Sequence, residues 1–193
     1  MRIIAGKFKG KVLKEFHHTG TRPTGDKARG GIFNTLLYDI PDGIFLDIFG
    51  GTGAVGIEAE SRGAKEVYIV DNNKESVKVI KENCKLCGTQ NTKIFCMDYS
   101  QALKEFKNKN IIFDVVFIDP PYKEDYGEKA LELIADYGLI DENSVVCFEH
   151  DNTKIIQNDK YELIKQRKYG IAIVDYLSLK MENGTIWTRT YQS

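Results

Sequence analysis

No stretch of the sequence comes near the roughly 20 consecutive apolar residues that a membrane span needs, which excludes a helical membrane protein. The start, MRIIAGKFKG, has neither the apolar core nor the small-residue cleavage site of a secretory signal, so a cytoplasmic chain is expected. Histidine is scarce. His17, His18 and His150 form no metal-ligating or nucleophilic grouping; no metal is expected, and all three read as surface or loop residues. The four cysteines are equally uninformative as ligands. Cys84 and Cys87 are spaced CxxC, but Cys96 and Cys147 lie far off, and no second matched pair completes a zinc or redox site. Val77, Ile80, Cys84 and Cys87 instead fall on one helical stripe and read as buried, reduced positions. Internal repeats, low-complexity segments and interdomain linkers are also missing. A net charge of −1 points on its own to no polyanionic partner.

What is present is a soluble globular composition, 42% hydrophobic and 28% charged, long enough to bury a sizeable core. The charge is unevenly spread. Residues 1–31 hold Arg2, Lys7, Lys9, Lys11, Lys14, Arg22, Lys27 and Arg29 against only Glu15 and Asp26, while the remainder carries a surplus of seven acids. A basic head on an acidic body suggests a nucleic-acid face. RIIA and KVLKEF flank GKFKG as a basic hairpin, and a helix follows over about 26–39, weakened by Gly30 and Gly31. From residue 43 the pattern alternates. GIFLDIF, KEVYIV, TKIFCM, FDVVFID and SVVCFEH read as strands, separated by helices at 53–62, 73–87, 99–107 and 126–137. Continuous apolar strands alternating with helices predict a doubly wound, mostly parallel α/β sheet covered on both faces. YELIKQRKY and IAIVDYLSLK, with no helix between, predict an antiparallel edge; an Asn183–Gly184 turn then leads to TIWTRTY.

The first strand runs into LDIFGGTGAVGIEA, where Gly51, Gly53 and Gly56 form GxGxxG and Asp71 ends the next strand. These features alone fit a dinucleotide site and leave a nicotinamide oxidoreductase open. Asp47, just before the glycines, argues otherwise. A pyrophosphate gains nothing from a nearby carboxylate, whereas S-adenosylmethionine has no phosphate and carries a sulfonium and an ammonium. Asp71 would then accept from the ribose hydroxyls. Met97 and Asp98, ending the third strand, are placed to meet the adenine, the acid accepting from its amine.

Asp119–Pro120–Pro121–Tyr122 ends the fourth strand at the same edge. An amine on an aromatic base is a poor nucleophile, because its lone pair is delocalised into the ring. Two acceptors gripping its hydrogens favour a pyramidal nitrogen with the lone pair aimed outward. The Asp119 carboxylate and the Pro120 carbonyl can be those acceptors, and proline adds no rival N–H and fixes its own φ. Tyr122 offers a face on which a base can stack, worth roughly 1–3 kcal/mol.

Asp47–Gly53, Asp71 and the DPPY tetrapeptide resemble S-adenosylmethionine-dependent methyltransferases of exocyclic base amines. RIIAGKFKGKVL and RPTGDKARGGIFNTL narrow this to a resemblance to the RsmD family of bacterial 16S ribosomal RNA guanine-N2 methyltransferases, over nearly the whole chain. The resemblance implies a Rossmann-like methyltransferase sheet over 41–193 and an RNA-binding hairpin and helix over 1–40. It implies that Asp47, Phe49, Gly51, Gly53, Asp71, Asn72, Met97 and Asp98 hold S-adenosylmethionine. Asp119, Pro120 and Tyr122 would hold the guanine amine, and Arg2, Lys7, Lys9, Lys11, Arg22, Lys27 and Arg29 would contact RNA. The implied partner is 16S rRNA in the assembling or assembled small subunit, met by a monomer. Gly50 stands where the family usually has alanine, a change expected to be harmless; Gly30 and Gly31 replace a Glu-Ala pair; residues 181–193 have no clear counterpart. The alternatives are an adenine-N6 methyltransferase on the same core and the nicotinamide oxidoreductase, which leaves DPPY unexplained.

Overall fold

The computed structural model describes residues 1–15, 25–121, 125–150, 158–170 and 172–180. The alternation predicted from residue 43 appears as β1 (Ile44–Asp47), α2 (Ala54–Ser61), β2 (Glu66–Asp71), α3 (Lys74–Cys87), β3 (Thr92–Cys96), α4 (Tyr99–Asn108), β4 (Val115–Ile118), α5 (Tyr126–Asp136) and β5 (Val145–His150). Ahead of it lies α1 (Asp26–Thr35), and after it β6 (Tyr161–Tyr169) and β7 (Ala172–Leu179). Helix α1 stops four residues short of the expected 39. Pro41 disfavours helical backbone at Ile40, so the chain turns before reaching it.

The sheet order is β3-β2-β1-β4-β5-β7-β6. Pairs from β3 to β5 are parallel, and β7 runs antiparallel between β5 and β6, giving the expected antiparallel edge. Every residue of β4 and β5 is buried, as a sheet covered on both faces requires. Successive side chains go to opposite faces. Phe45, Val67, Ile69 and Phe117 meet Ile32 and Phe33 of α1, Ile57 of α2 and Ile80 of α3. Leu46, Tyr68, Val116 and Val146 meet Leu103 and Phe106 of α4 and Leu131 and Ile134 of α5. Each such side chain contributes about 1.5–3 kcal/mol when fully buried.

Helix ends follow local chemistry. Asn73 caps α3 by accepting from the Glu75 and Ser76 N–H groups at 2.8 and 3.2 Å, and Gly88 closes it in left-handed backbone. Asp98 caps α4 through the Ser100 N–H at 2.9 Å.

The N-terminal segment folds back on itself through one antiparallel bridge, Arg2 with Val12. The Ile3 N–H donates to the Lys11 carbonyl and the Leu13 N–H to the Met1 carbonyl, each at 3.0 Å. Turns at Gly6 and Gly10 occupy the space between the arms, leaving no length for a ladder. Ile3, Phe8 and Leu13 join the core on the α1–α3 face. Glu58 of α2 accepts from the Ile4 and Ala5 N–H groups at 2.7 and 3.0 Å and from Arg62 Nε at 2.8 Å. Glu60 takes Lys7 Nζ at 3.1 Å, the Gln90 N–H at 2.9 Å and Thr92 Oγ1 at 2.5 Å. Asn83 of α3 exchanges hydrogen bonds with the Lys14 backbone at 2.8 and 3.1 Å. Covered by this hairpin outside and the sheet inside, all of α2 is buried. Among the described residues no helix is long and apolar enough to cross a membrane.

Candidate active site at the carboxyl edge of the sheet

β1 lies between β2 and β4, so the crossovers diverge beside it and open a crevice at the carboxyl ends of the strands. Asp47 ends β1, Asp71 ends β2, Asp98 follows β3 and Asp119 follows β4. In register, Asp47 lies beside Ile69 and Phe117, and Asp71 beside Cys96. The structure thus brings the four acids inferred from sequence to one edge.

The glycine loop is pinned by its backbone. The Ile48 N–H donates to the Phe117 carbonyl at 3.0 Å, and the Phe49 and Gly50 N–H groups share the Val70 carbonyl at 3.2 and 2.9 Å. Gly51 and Gly53 take φ of 56° and 78°, backbone that penalises a side chain. Phe49 has φ of 130° despite its side chain, a strained conformation held by packing of its ring 5.4 Å from Tyr99. Asp71 clamps the loop, accepting from the Gly51 N–H at 2.9 Å and from the Asn73 N–H at 2.8 Å. Asp47 is buried and accepts from the Gly56 N–H at 3.0 Å. Burial pushes its carboxyl up to about 7; the Gly56 N–H opposes the shift and the charge of Asp71 adds to it. Burial also raises Asp71, against the hydrogen bonds from Asn73 and Gly51. Asp98 accepts from Ser100 Oγ at 2.6 Å as well as from its N–H. Met97 is half-buried against the α4 side, and Asn72 is exposed.

This donor set suits S-adenosylmethionine. A buried carboxylate pushed toward neutrality gains from an ammonium, and half-buried carboxylates at the next strand ends suit hydroxyls and an exocyclic amine. Pyrophosphate at the N-terminus of α2 would lie against the like charge of Asp47 and Asp71. Asp47, the Gly51–Gly53 loop, Asp71, Met97 and Asp98 are the residues that would hold the cofactor.

Asp119 leaves β4 directly after fully buried Ile118. Pro120 is wedged against α5, where a Cβ on Gly127 would lie 2.9 Å from Pro120 Cγ and 2.5 Å from the Phe148 ring. Only a glycine lets α5 press this close, and the contact fixes the course of the backbone after Asp119. Tyr122 lies outside the described residues. Two aromatic residues escaped the sequence reading. Tyr99 packs between Phe49 and Tyr126, with ring centroids 5.4 and 5.7 Å away, making an aromatic wall across the loop and the first turns of α4 and α5. Glu149 escaped too. Ile118 pairs with Phe148, so Asp119 and buried Glu149 come next on neighbouring strands.

Of the residues expected to contact RNA, Arg2, Lys7, Lys9, Lys11 and Lys27 are exposed, with Lys7 held 3.1 Å from Glu60; Arg22 lies outside the described residues. Arg29 is a correction. It is fully buried, 3.0 Å from Asp26 and 3.9 Å from Glu58, and donates to the Arg2 carbonyl, so it ties α1 to the hairpin and α2. His150 is a second correction: it is a buried β5 residue whose Nε2 lies 3.1 Å from Asp175 Oδ2, on the face it shares with Phe148. His17 and His18 fall outside the described residues. Cys84 and Cys87 are buried free thiols as expected, Cys147 is buried as well, and Cys96 is exposed.

A family model described as "Conserved hypothetical protein 95" matches residues 1–178. The chain belongs to this family. Within the RsmD family, a Haemophilus influenzae protein named "Ribosomal RNA small subunit methyltransferase D" is 32% identical over 175 residues, covering 89% of this chain and 90% of the relative. An Escherichia coli protein of the same name is 29% identical over 151 residues, covering 78% and 75%. A solved structure of a hypothetical protein from Thermus thermophilus superposes with a TM-score of 0.81 at 29% identity, over 93% of this chain and 99% of that one. This member of the family is a methyltransferase with S-adenosylmethionine as methyl donor, and the nicotinamide reading of the glycine loop falls away.

Proposed function

We propose that the protein methylates the exocyclic N2 amine of a guanine in 16S ribosomal RNA of the small subunit. The observation that carries this reading is the position of Asp119 and Pro120. They emerge from the strand beside Asp47 at the mouth of the crevice, on a backbone fixed by the close contact of Gly127 with Pro120 and Phe148. S-adenosylmethionine supplies the methyl group. The Asp119 carboxylate and the Pro120 carbonyl accept the two amine hydrogens, which turns the nitrogen lone pair out of the ring plane and toward the donor. Tyr122 stacks on the base. The methylated ammonium is acidic and gives its surplus proton to water or to Asp119, so no strong base is needed. Acceleration comes from alignment and fixed electrostatics. The ribosomal substrate rests on the names of the relatives and on the basic hairpin.

Incubation with tritiated donor and small subunits lacking the modification should place label in a single guanine, at N2. Label in adenine, or in protein alone, would overturn the assignment. Asp119→Ala should lower turnover by about 10²–10³, by analogy with loss of one positioned group at other sites, while donor affinity stays within twofold. Persistent turnover would show that the amine is gripped elsewhere.

A further inference from the structure

Helix α3 carries a row of charge that the proposed reaction does not use. Lys74, Lys78, Lys81 and Lys85 are all exposed. At 100° per residue they fall within an arc of about 60°, spaced about 4.5–6 Å apart along the axis. Among the described residues none of the four is ion-paired. They line a groove of about 510 Å³ with Val77 and exposed Cys96 of edge strand β3; Glu82, at its rim, is turned to Lys14 at 2.8 Å.

The row works against the helix that bears it. Like charges at i,i+3 and i,i+4 destabilise by about 0.2–0.5 kcal/mol per pair. Lys74 also lies in the first turn, where the helix dipole disfavours cations. The chain beyond residue 31 has a surplus of seven acids, so a pure lysine row is not its general surface. The row starts at Lys74, directly after Asn73, whose N–H is held by Asp71 at the candidate site, and runs away from the crevice on the β3 side. The hairpin docks on the other flank, at Glu82 and Asn83.

We propose that this groove is a second contact surface for RNA and takes the phosphate backbone of the strand flanking the target base. It rests on the ribosomal RNA reading and gives the protein two basic tracks, the hairpin and α3, leading to one crevice. Phosphates neutralise the repulsion within the row, and the shallow apolar floor leaves the contact indifferent to sequence.

The test uses the full chain with Lys78→Glu and Lys81→Glu combined, and with both as Gln. Affinity for small-subunit RNA is measured against salt, and donor affinity is measured separately with S-adenosylhomocysteine. Each single-strand phosphate left without its lysine reduces the slope of log affinity against log salt by about 0.7, so the Gln pair should reduce it by about 1.4 and the Glu pair by at least that. RNA affinity should fall about ten- to a hundredfold near 0.1 M salt, with S-adenosylhomocysteine affinity unchanged. A second readout uses Cys96, the exposed thiol on the groove floor. RNA should slow its alkylation beyond any protection by S-adenosylhomocysteine alone. Wild-type slope and affinity in both variants, or RNA that binds without shielding Cys96, would overturn the proposal. Methyl label in adenine would sink the guanine assignment while leaving the salt slopes to stand or fall by themselves.

Discussion

Asp47 shows how one buried side chain couples pH to folding. Its carboxyl is pushed from 3.8 to about 7, so between those values the folded protein without donor holds a proton that the unfolded chain has released. That group's contribution to stability therefore declines as pH rises from 3.8 to about 7, and is level above. If Asp47 faces the ammonium of the donor, binding favours the ionised form. Affinity for S-adenosylhomocysteine should then rise with pH through about 7, with a proton released on binding below that point. Calorimetry in two buffers of different ionisation enthalpy reads the proton directly, and Asp47→Asn should flatten both profiles. Asp71, Asp98 and Asp119 were legible from sequence because each follows an apolar run whose end fixes a strand end, and Asp47 because it stands just before the glycine loop. Tyr99 and Tyr126 were not, since nothing in their spacing separates a crevice wall from an ordinary core aromatic. Arg29 misled because composition counts charges without showing where they point, and its partner Glu58 lies far along the chain. Gly50, a glycine expected to be a harmless departure from alanine, sits in a tight place: a Cβ there would lie 2.3 Å from Ile69 Cγ2, so restoring alanine would require Ile69 to shift or change with it.

The two glycines of α1 look alike in sequence and differ in the fold. A Cβ on Gly30 would meet only Ile4, with Cδ1 at 3.7 Å, an ordinary contact, whereas one on Gly31 would lie 2.3 Å from the Tyr169 ring of β6. Gly30→Ala should therefore stabilise by about 0.5–1 kcal/mol from helix propensity, while Gly31→Ala should lose that gain and more to the displaced ring. Urea unfolding of the two variants makes the comparison; equal stabilisation would mean that Tyr169 swings aside freely. Helix and strand identities from residue 43 onward were readable because period 3.6 and continuous apolar runs alternate cleanly. The end of α1 was not, because its apolar pattern continues through Leu36 and Ile40 after the backbone has turned.

Across the molecule, the alternation of strands and helices predicts a parallel sheet with an antiparallel edge, but not that residues 1–15 would dock on α2 and α3. That attachment hinges on Glu58, which serves two backbone N–H groups of the hairpin and Arg62, with Arg29 alongside. Glu58→Ala leaves the Ile4 and Ala5 N–H groups and Arg62 without their acceptor and removes the carboxylate beside buried Arg29, which keeps Asp26 and the Arg2 carbonyl, and should destabilise by about 3–5 kcal/mol, as breaking buried pairs does. Faster hydrogen exchange at the Ile4 and Ala5 amides would locate the loss, and RNA affinity should fall further than donor affinity. Glu60, tied to Lys7, Gln90 and Thr92, sets an acid limit to the same attachment. Burial opposes its ionisation, but the hydrogen bonds from Thr92, Gln90 and Lys7 prevail and hold its carboxyl below the ordinary value. Its stabilising contribution is therefore present above the ordinary carboxylate value and fades as pH falls below it. The same anchors bear on the order of assembly. Residues 1–15 leave the ribosome before the elements they dock on, since those partners lie at Glu58, Ser61, Glu82 and Asn83, and Glu60 itself is completed only by Thr92. At about 5–20 residues per second the segment waits roughly 4–15 s, so residues 1–15 precede the elements that anchor them and dock fully only once β3 has been made.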